Sequence, residues 1–222
     1  ELTELTVSQC PLLKELYCSS SFRKENGSSM RPHLTVLDLS YCPLLTRLDC
    51  FHNRLTVLDL SHCPLLEYLN SLCNRLTELN VSQCPLLTAL SCSCNRLTEL
   101  NVSQCPLLKK LYCADSFRKE NGSSMRPQLT VLDLSHCPLL TQLNCFNNQL
   151  TVLDLSHCPL LEYLLSSSTR LKQIIIVLIL QRDLNENFGL TEGRCICCNK
   201  KKVIKLTNTR ICSNCFTVQY NF

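Results

Sequence analysis

A period of 21 residues constrains this chain more than any other feature. Residues 55–75, LTVLDLSHCPLLEYLNSLCNR, state the unit once, and the same register opens at Leu2, Leu34, Leu55, Leu76, Leu97, Leu129 and Leu150. Leu171 opens a degenerate last copy. Five of the seven full copies are 21 residues long, whereas those opening at Leu2 and Leu97 are 32 long and carry 11-residue insertions. Residues 21–32, SFRKENGSSMRP, recur unchanged as 116–127, so a 95-residue period lies over the shorter one, as in a duplicated block of four coils whose second copy lost its last. A unit this short cannot bury its own apolar face, so the copies must stack.

Within residues 45–55, LTRLDCFHNRL, the apolar positions are Leu45, Leu48, Cys50 and Leu55, with Asn53 between them. The alternation around Leu48 and Cys50 is strand-like, and Arg47, Asp49 and Phe51 point the other way. The following half, residues 55–65, repeats the pattern with Cys63 where the asparagine stood, so both walls of a coil suit short strands that end near Pro64. The pattern L-x-x-L-x-C-x-x-N-x-L resembles the leucine-rich repeat, in its 21-residue LxxLxCxxNxLxxLDLxxN subclass. The resemblance implies a mainly β solenoid with parallel sheets on both walls and a ladder of buried asparagines at Asn53, Asn74, Asn95 and Asn148. The expected division is a solenoid over residues 1–180, with seven coils, a closing half-coil at 171–180 and loops at 19–32 and 114–127. A capping helix is the alternative to the half-coil. Residues 181–193 form a linker and 194–222 a second unit.

Nineteen cysteines raise the question of disulfides, but their placement points elsewhere. Cys10, Cys42, Cys63, Cys84, Cys105, Cys137 and Cys158 share one register, and Cys18, Cys50, Cys92, Cys113 and Cys145 another. Thiols recurring at inward sites act as small buried apolar groups, and in-register side chains seldom meet the torsion a disulfide needs. The alternative is a disulfide ladder between coils. Reduced thiols imply an intracellular, reducing compartment. The chain shows no secretory leader, and its start at Glu1 suggests a trimmed product. Its longest apolar run, residues 174–180, falls far short of the ~20 residues a membrane helix needs. The first coil carries no polar cap, so that end is expected to be covered by further residues or by a partner.

The tail concentrates the sharpest chemistry. Cys195-x-x-Cys198 and Cys212-x-x-Cys215, thirteen residues apart, have the spacing of a closed four-cysteine zinc site, a zinc ribbon in which Zn2+ is structural. Strands at 203–206 and 216–220 would flank it. Cys197 competes with Cys195 as a ligand, and the x-x spacing favours Cys195. Arg194, Lys200, Lys201, Lys202, Lys205 and Arg210 stand there without an acid, so the tail carries +6 of a net +4 and residues 1–193 carry −2. Such a tail suits an acidic protein surface or nucleic acid.

The copies can be compared with one another. The outward site after the second-half leucine barely changes, from Asp38 and Asp59 through Asn80 and Asn101 to Asp133 and Asp154. The outward sites of the first-half strand do change: Glu15, Arg47, Tyr68, Ala89, Lys110, Gln142, Tyr163 in one column and Tyr17, Asp49, Asn70, Ser91, Tyr112, Asn144, Leu165 in the other. A face that varies over a constant core is where repeat proteins bind, although neutral drift on a solvated face gives the same pattern. The candidate partner-binding residues are therefore Tyr17, Arg47, Asp49, Phe51, Tyr68, Lys110, Tyr112, Phe146 and Tyr163. The basic, aromatic-tipped insertions add Phe22, Arg23, Lys24, Phe117, Arg118 and Lys119, and recent duplication alone would also explain their identity.

No nucleophile, acid–base pair or phosphate loop emerges, so an enzyme and a small-molecule substrate are not expected. The chain reads as a protein–protein interaction scaffold. The CPLL and LDLS repeats also resemble arrays of large DNA viruses of protists, which implies as an alternative a structural component of a virus particle, placed in the host cytoplasm or the virion. A nucleic-acid-associated regulator acting through the basic ribbon is the second alternative.

Overall fold

The computed structural model describes residues 2–7, 9–19, 33–115 and 129–166, and beyond them the backbone of four strands at 173–177, 203–206, 209–212 and 217–219. Each described coil contributes a three-residue strand to a front wall, because an inward leucine there alternates with two outward residues. These strands are β2 (Glu15–Tyr17), β4 (Arg47–Asp49), β5 (Tyr68–Asn70), β6 (Ala89–Ser91), β7 (Lys110–Tyr112), β8 (Gln142–Asn144) and β10 (Tyr163–Leu165). They form one seven-stranded parallel sheet in chain order. The register pairs equivalent residues of successive coils, Leu48 with Leu69 and Leu69 with Leu90.

The back wall is also parallel but broken. The strand β1 (Glu4–Thr6) pairs with β3 (Val36–Asp38), a single bridge joins Asn101 to Asp133, and β9 (Val152–Asp154) pairs with β11 (Gln173–Val177). β11 occupies the wall of the expected half-coil. The tail adds β12 (Val203–Leu206), antiparallel to β13 (Thr209–Cys212), and β14 (Thr217–Gln219), which lies parallel to β11 at the end of the back wall.

Leucines and cysteines of both halves fill the space between the walls. Leu48, Leu69, Leu90, Leu111 and Leu143 are fully buried, as are Cys42, Cys63, Cys84, Cys105 and Cys137. Burial pushes the thiols of Cys63, Cys105 and Cys158 up to about 12 and those of Cys84 and Cys137 up to about 11, which keeps them protonated at neutral pH. The Cys105 thiol reaches the carbonyl oxygens of Val81 and Cys84 at 3.7 and 3.8 Å, both in the preceding coil. Cys10 departs from its register and is exposed, and Leu12 is 77% exposed, because no described coil stacks on the outer side of the first.

The asparagine ladder clamps the turns. The side-chain oxygen of Asn74 accepts from the Leu55 N–H at 3.1 Å, and its Nδ2 donates to the carbonyls of Cys50 and Ser71 at 3.0 and 3.1 Å. Asn53, Asn95 and Asn148 repeat this three-bond pattern. On the back wall, the carboxylates of Asp38, Asp59 and Asp133 accept from the backbone N–H two residues on, and these serine contacts hold their pKa values below the usual carboxylate range. The outward pairs there read Val–Asp in four coils (Val36, Val57, Val131, Val152) and Glu–Asn in two (Glu78, Glu99), so each of these coils presents one carboxylate.

Candidate protein-binding face

The front sheet gathers the variable columns on one surface. Its inward leucines are buried from β4 onward and half-buried in β2, so the outward residues of β2 to β10 are left as the sheet's solvent side. Tyr17 and Tyr163 are 59% and 44% exposed. Lys110 is exposed, and Arg47, Asp49, Phe51, Tyr68, Tyr112 and Phe146 are half-buried.

The register couples residues that lie 21 or 32 positions apart in sequence. Arg47 stands between Tyr17 and Tyr68, with its guanidinium carbon 3.7 Å from the centre of the Tyr68 ring and 5.7 Å from that of Tyr17. A guanidinium over an aromatic face is attracted by the ring quadrupole, which pre-orders a long side chain that would otherwise lose rotamer freedom on binding. The Tyr17 hydroxyl donates to Glu15 Oε2 at 2.8 Å, and this bond raises the pKa of the phenol above its ordinary value. Further along, the Tyr112 hydroxyl bonds Gln142 Oε1 of the next coil, and burial raises the Tyr112 phenol. Two buried polar atoms of the face, Arg47 Nε and Asp49 Oδ1, have no hydrogen-bond partner. They lie on the same strand two residues apart and offer one donor and one acceptor.

The aromatic and charged candidates of the repeats thus share one surface. The insertion residues Phe22, Arg23, Lys24, Phe117, Arg118 and Lys119 lie outside the described residues, as do Cys195, Cys198, Cys215, Lys200, Lys201 and Lys202. Cys212 ends β13, and Lys205 of β12 lies opposite Arg210 of β13. Among the described residues no three His, Cys, Asp or Glu side chains converge as a metal site, and no helix is long and apolar enough to cross a membrane.

The sequence columns did not reveal the Arg47–Tyr68 stack, although aligning neighbouring copies would have set the two side by side. They also missed a backbone feature. His52, Cys73, Cys94 and Asn147, each just before a buried asparagine, have φ of 56°, 55°, 59° and 59°. Asparagine at Asn147 tolerates this left-handed conformation; cysteine has no such aptitude.

The family model "Leucine Rich Repeat" matches residues 33–54, 54–74, 128–151 and 149–171. Among solved structures, the chain is similar to the leucine-rich repeat domain of APL1, with 18% identity and a TM-score of 0.54 over 78% of this chain and 47% of that one. The functional domain of InlJ from Listeria monocytogenes, described as including a cysteine ladder, gives 29% identity and a TM-score of 0.49 over 79% of this chain and 46% of that one. The protein LIC12759 of Leptospira interrogans gives 18% and 0.49 over 65% and 44%. The chain therefore spans just under half the length of these structures. Comparison with curated proteins gives no match. The chain folds as a leucine-rich-repeat solenoid and carries segments that match the repeat's family model, and leucine-rich repeats are typically non-enzymatic protein-interaction modules.

Proposed function

We propose that the protein is a non-enzymatic interaction scaffold that captures a protein partner on its front sheet. The observation that carries this is the Tyr17–Arg47–Tyr68 stack, a pre-ordered cation between two rings on the face whose residues change from coil to coil. Tyrosine and arginine dominate binding hot spots because they bring large contact area and directed hydrogen bonds. The back wall, with one carboxylate per coil and side chains bonded into their own turns, serves as scaffold.

Site-specific photocrosslinkers at Tyr112 on the front and Val57 on the back test this in extracts of the native source. Capture of one protein from Tyr112 alone is expected, and Arg47→Ala should weaken its affinity at least tenfold, which corresponds to about 1.4 kcal/mol. Equal capture from both walls would refute a front-face site.

The tail is proposed to hold a structural zinc ion through Cys195, Cys198, Cys212 and Cys215. The backbone of the β12–β13 hairpin supports this: Val203 lies opposite Cys212, so the chain before 203 and the chain after 212 leave from the same end, as two cysteine turns sharing one ion require. Purified protein should contain one zinc equivalent by elemental mass spectrometry and lose it on Cys212→Ser. Retention of zinc by that variant would remove Cys212 from the site.

Fully buried, protonated core thiols suit an intracellular, reducing location.

A further inference from the structure

Each of the seven coils passes from its back wall to its front wall through Cys-Pro-Leu-Leu, and the seven turns share one shape. In every one the cysteine N–H donates to the carbonyl three residues back, and the second leucine N–H to the cysteine carbonyl, at 3.0–3.2 Å. From the second coil on the cysteine is buried, and in the five inner coils the second leucine is too, which leaves the proline and the first leucine outside. The proline of every turn is exposed, as are Leu12, Leu65, Leu86, Leu107 and Leu160, while Leu44 and Leu139 are half-buried. The result is an apolar stripe down one edge of the solenoid, about 29 Å long at six strand spacings of ~4.8 Å. Continuous apolar surface of this kind marks a place of association.

The residues beside the stripe select its occupant. On the front side runs the residue after each second leucine, and these residues form one column, because from Thr46 on the N–H of each bonds the carbonyl of its equivalent in the coil before at 2.8–2.9 Å. The column opens with Lys14, Thr46 and Glu67, has Thr88 at its centre, and closes with Lys109, Thr141 and Glu162. Its lysines and glutamates are exposed, and its threonine hydroxyls are bonded to the carbonyls of Lys14, Glu67 and Lys109. Reversed end to end, the column exchanges each lysine with a glutamate and each threonine with a threonine. The duplicated block creates this symmetry, with a lysine in its first coil and a glutamate in its third. The column on the back side of the stripe, from Gln9 to His157, holds glutamine, tyrosine or histidine in every coil, and the same reversal sets no histidine against another.

A two-fold axis running from front to back through the fourth coil performs that reversal, as a self-complementary interface requires. We propose that the stripe is the interface of an antiparallel homodimer, with Glu67 of one copy facing Lys109 of the other, Leu65 packed on Leu107, and Leu86 on its own equivalent at the axis. Parallel copies would instead set each front column against the other copy's back column, leaving Lys109 opposite Gln104. The antiparallel axis keeps both front sheets on one side, so the dimer presents two candidate binding faces side by side.

Sedimentation equilibrium of the full-length chain tests this at low ionic strength, with a thiol reductant so that the exposed Cys10 does not crosslink copies. The native chain should sediment at twice its 25.3 kDa. Glu67→Lys sets two pairs of like charges across the axis, and so does Lys109→Glu, so each alone should weaken association at least tenfold. An equimolar mixture of these two variants should regain the native affinity, because every facing pair of the mixed dimer is again opposite in sign, and that recovery requires both variants to be folded. Leu86→Ser should weaken association as strongly, with an unchanged circular dichroism spectrum. A native chain that stays monomeric at every concentration would overturn the dimer, as would charge variants that keep the native affinity or a mixture that fails to regain it. A monomer that sediments with phosphatidylcholine vesicles, and ceases to on Leu86→Ser, would assign the stripe to a membrane surface and equally overturn it.

Discussion

Leu69→Ala is expected to destabilise the solenoid by about 2–5 kcal/mol in denaturant unfolding followed by circular dichroism. Leu69 is fully buried in β5, between Leu48 of β4 and Leu90 of β6. The continuous hydrogen-bonded ladder on either side holds the rungs at their spacing, so the walls cannot collapse into the space that three missing carbons leave. Leu16, the equivalent residue of the first coil, is only half-buried, and Leu16→Ala should cost about 1 kcal/mol. Equal losses at the two sites would mean that the first coil is as well covered as the fifth strand. The contrast follows from nearest-neighbour stacking, in which an end coil has one partner and an inner coil two.

Asn74→Ala is expected to cost about 2–4 kcal/mol in the same assay, because it strands the buried Leu55 N–H and removes two donors from the carbonyls of Cys50 and Ser71. These carbonyls are not left bare: Cys50 keeps Asn53, and Ser71 keeps Asn95 at 2.9 Å. That sharing makes a sharper forecast. Once Asn74 and Asn95 are both replaced by alanine, Ser71 loses both side-chain donors, so the double variant should be less stable than the sum of the singles by about 0.5–1 kcal/mol. Strict additivity would show that the rungs of the ladder act independently.

Much of this was legible before any coordinates. The inward leucines, the asparagine ladder and the front strands follow from a pattern stated seven times, because a repeated unit has few ways to bury the same residues. The back wall was legible only in part. Its alternation matches the front, yet strands form there only in the outer coils, with a lone bridge at Asn101 and Asp133. Periodicity reports which side chains face inward, and that alone does not decide whether neighbouring backbones close a ladder. Cys10 shows the same limit. Its register made it a core thiol, but burial depends on having a neighbour on both sides.

The candidate face divides in the same manner. The sequence named Tyr17, Arg47 and Tyr68 as outward residues, since alternation about Leu48 leaves them no other side. Their stacking needed the register, which brings together residues 21 and 32 positions apart. The left-handed turns at His52, Cys73 and Cys94 were hidden for a different reason: cysteine carries no sequence signal for positive φ, whereas Asn147 does.

The sequence by itself determined the solenoid, its period, the inward residues and the outward columns, because stacking identical units leaves each position a fixed side of the wall. Only the tertiary structure decided which outward residues touch. Those pairings join one coil to the next through backbone hydrogen bonds, and a 21-residue unit read alone contains no such neighbour.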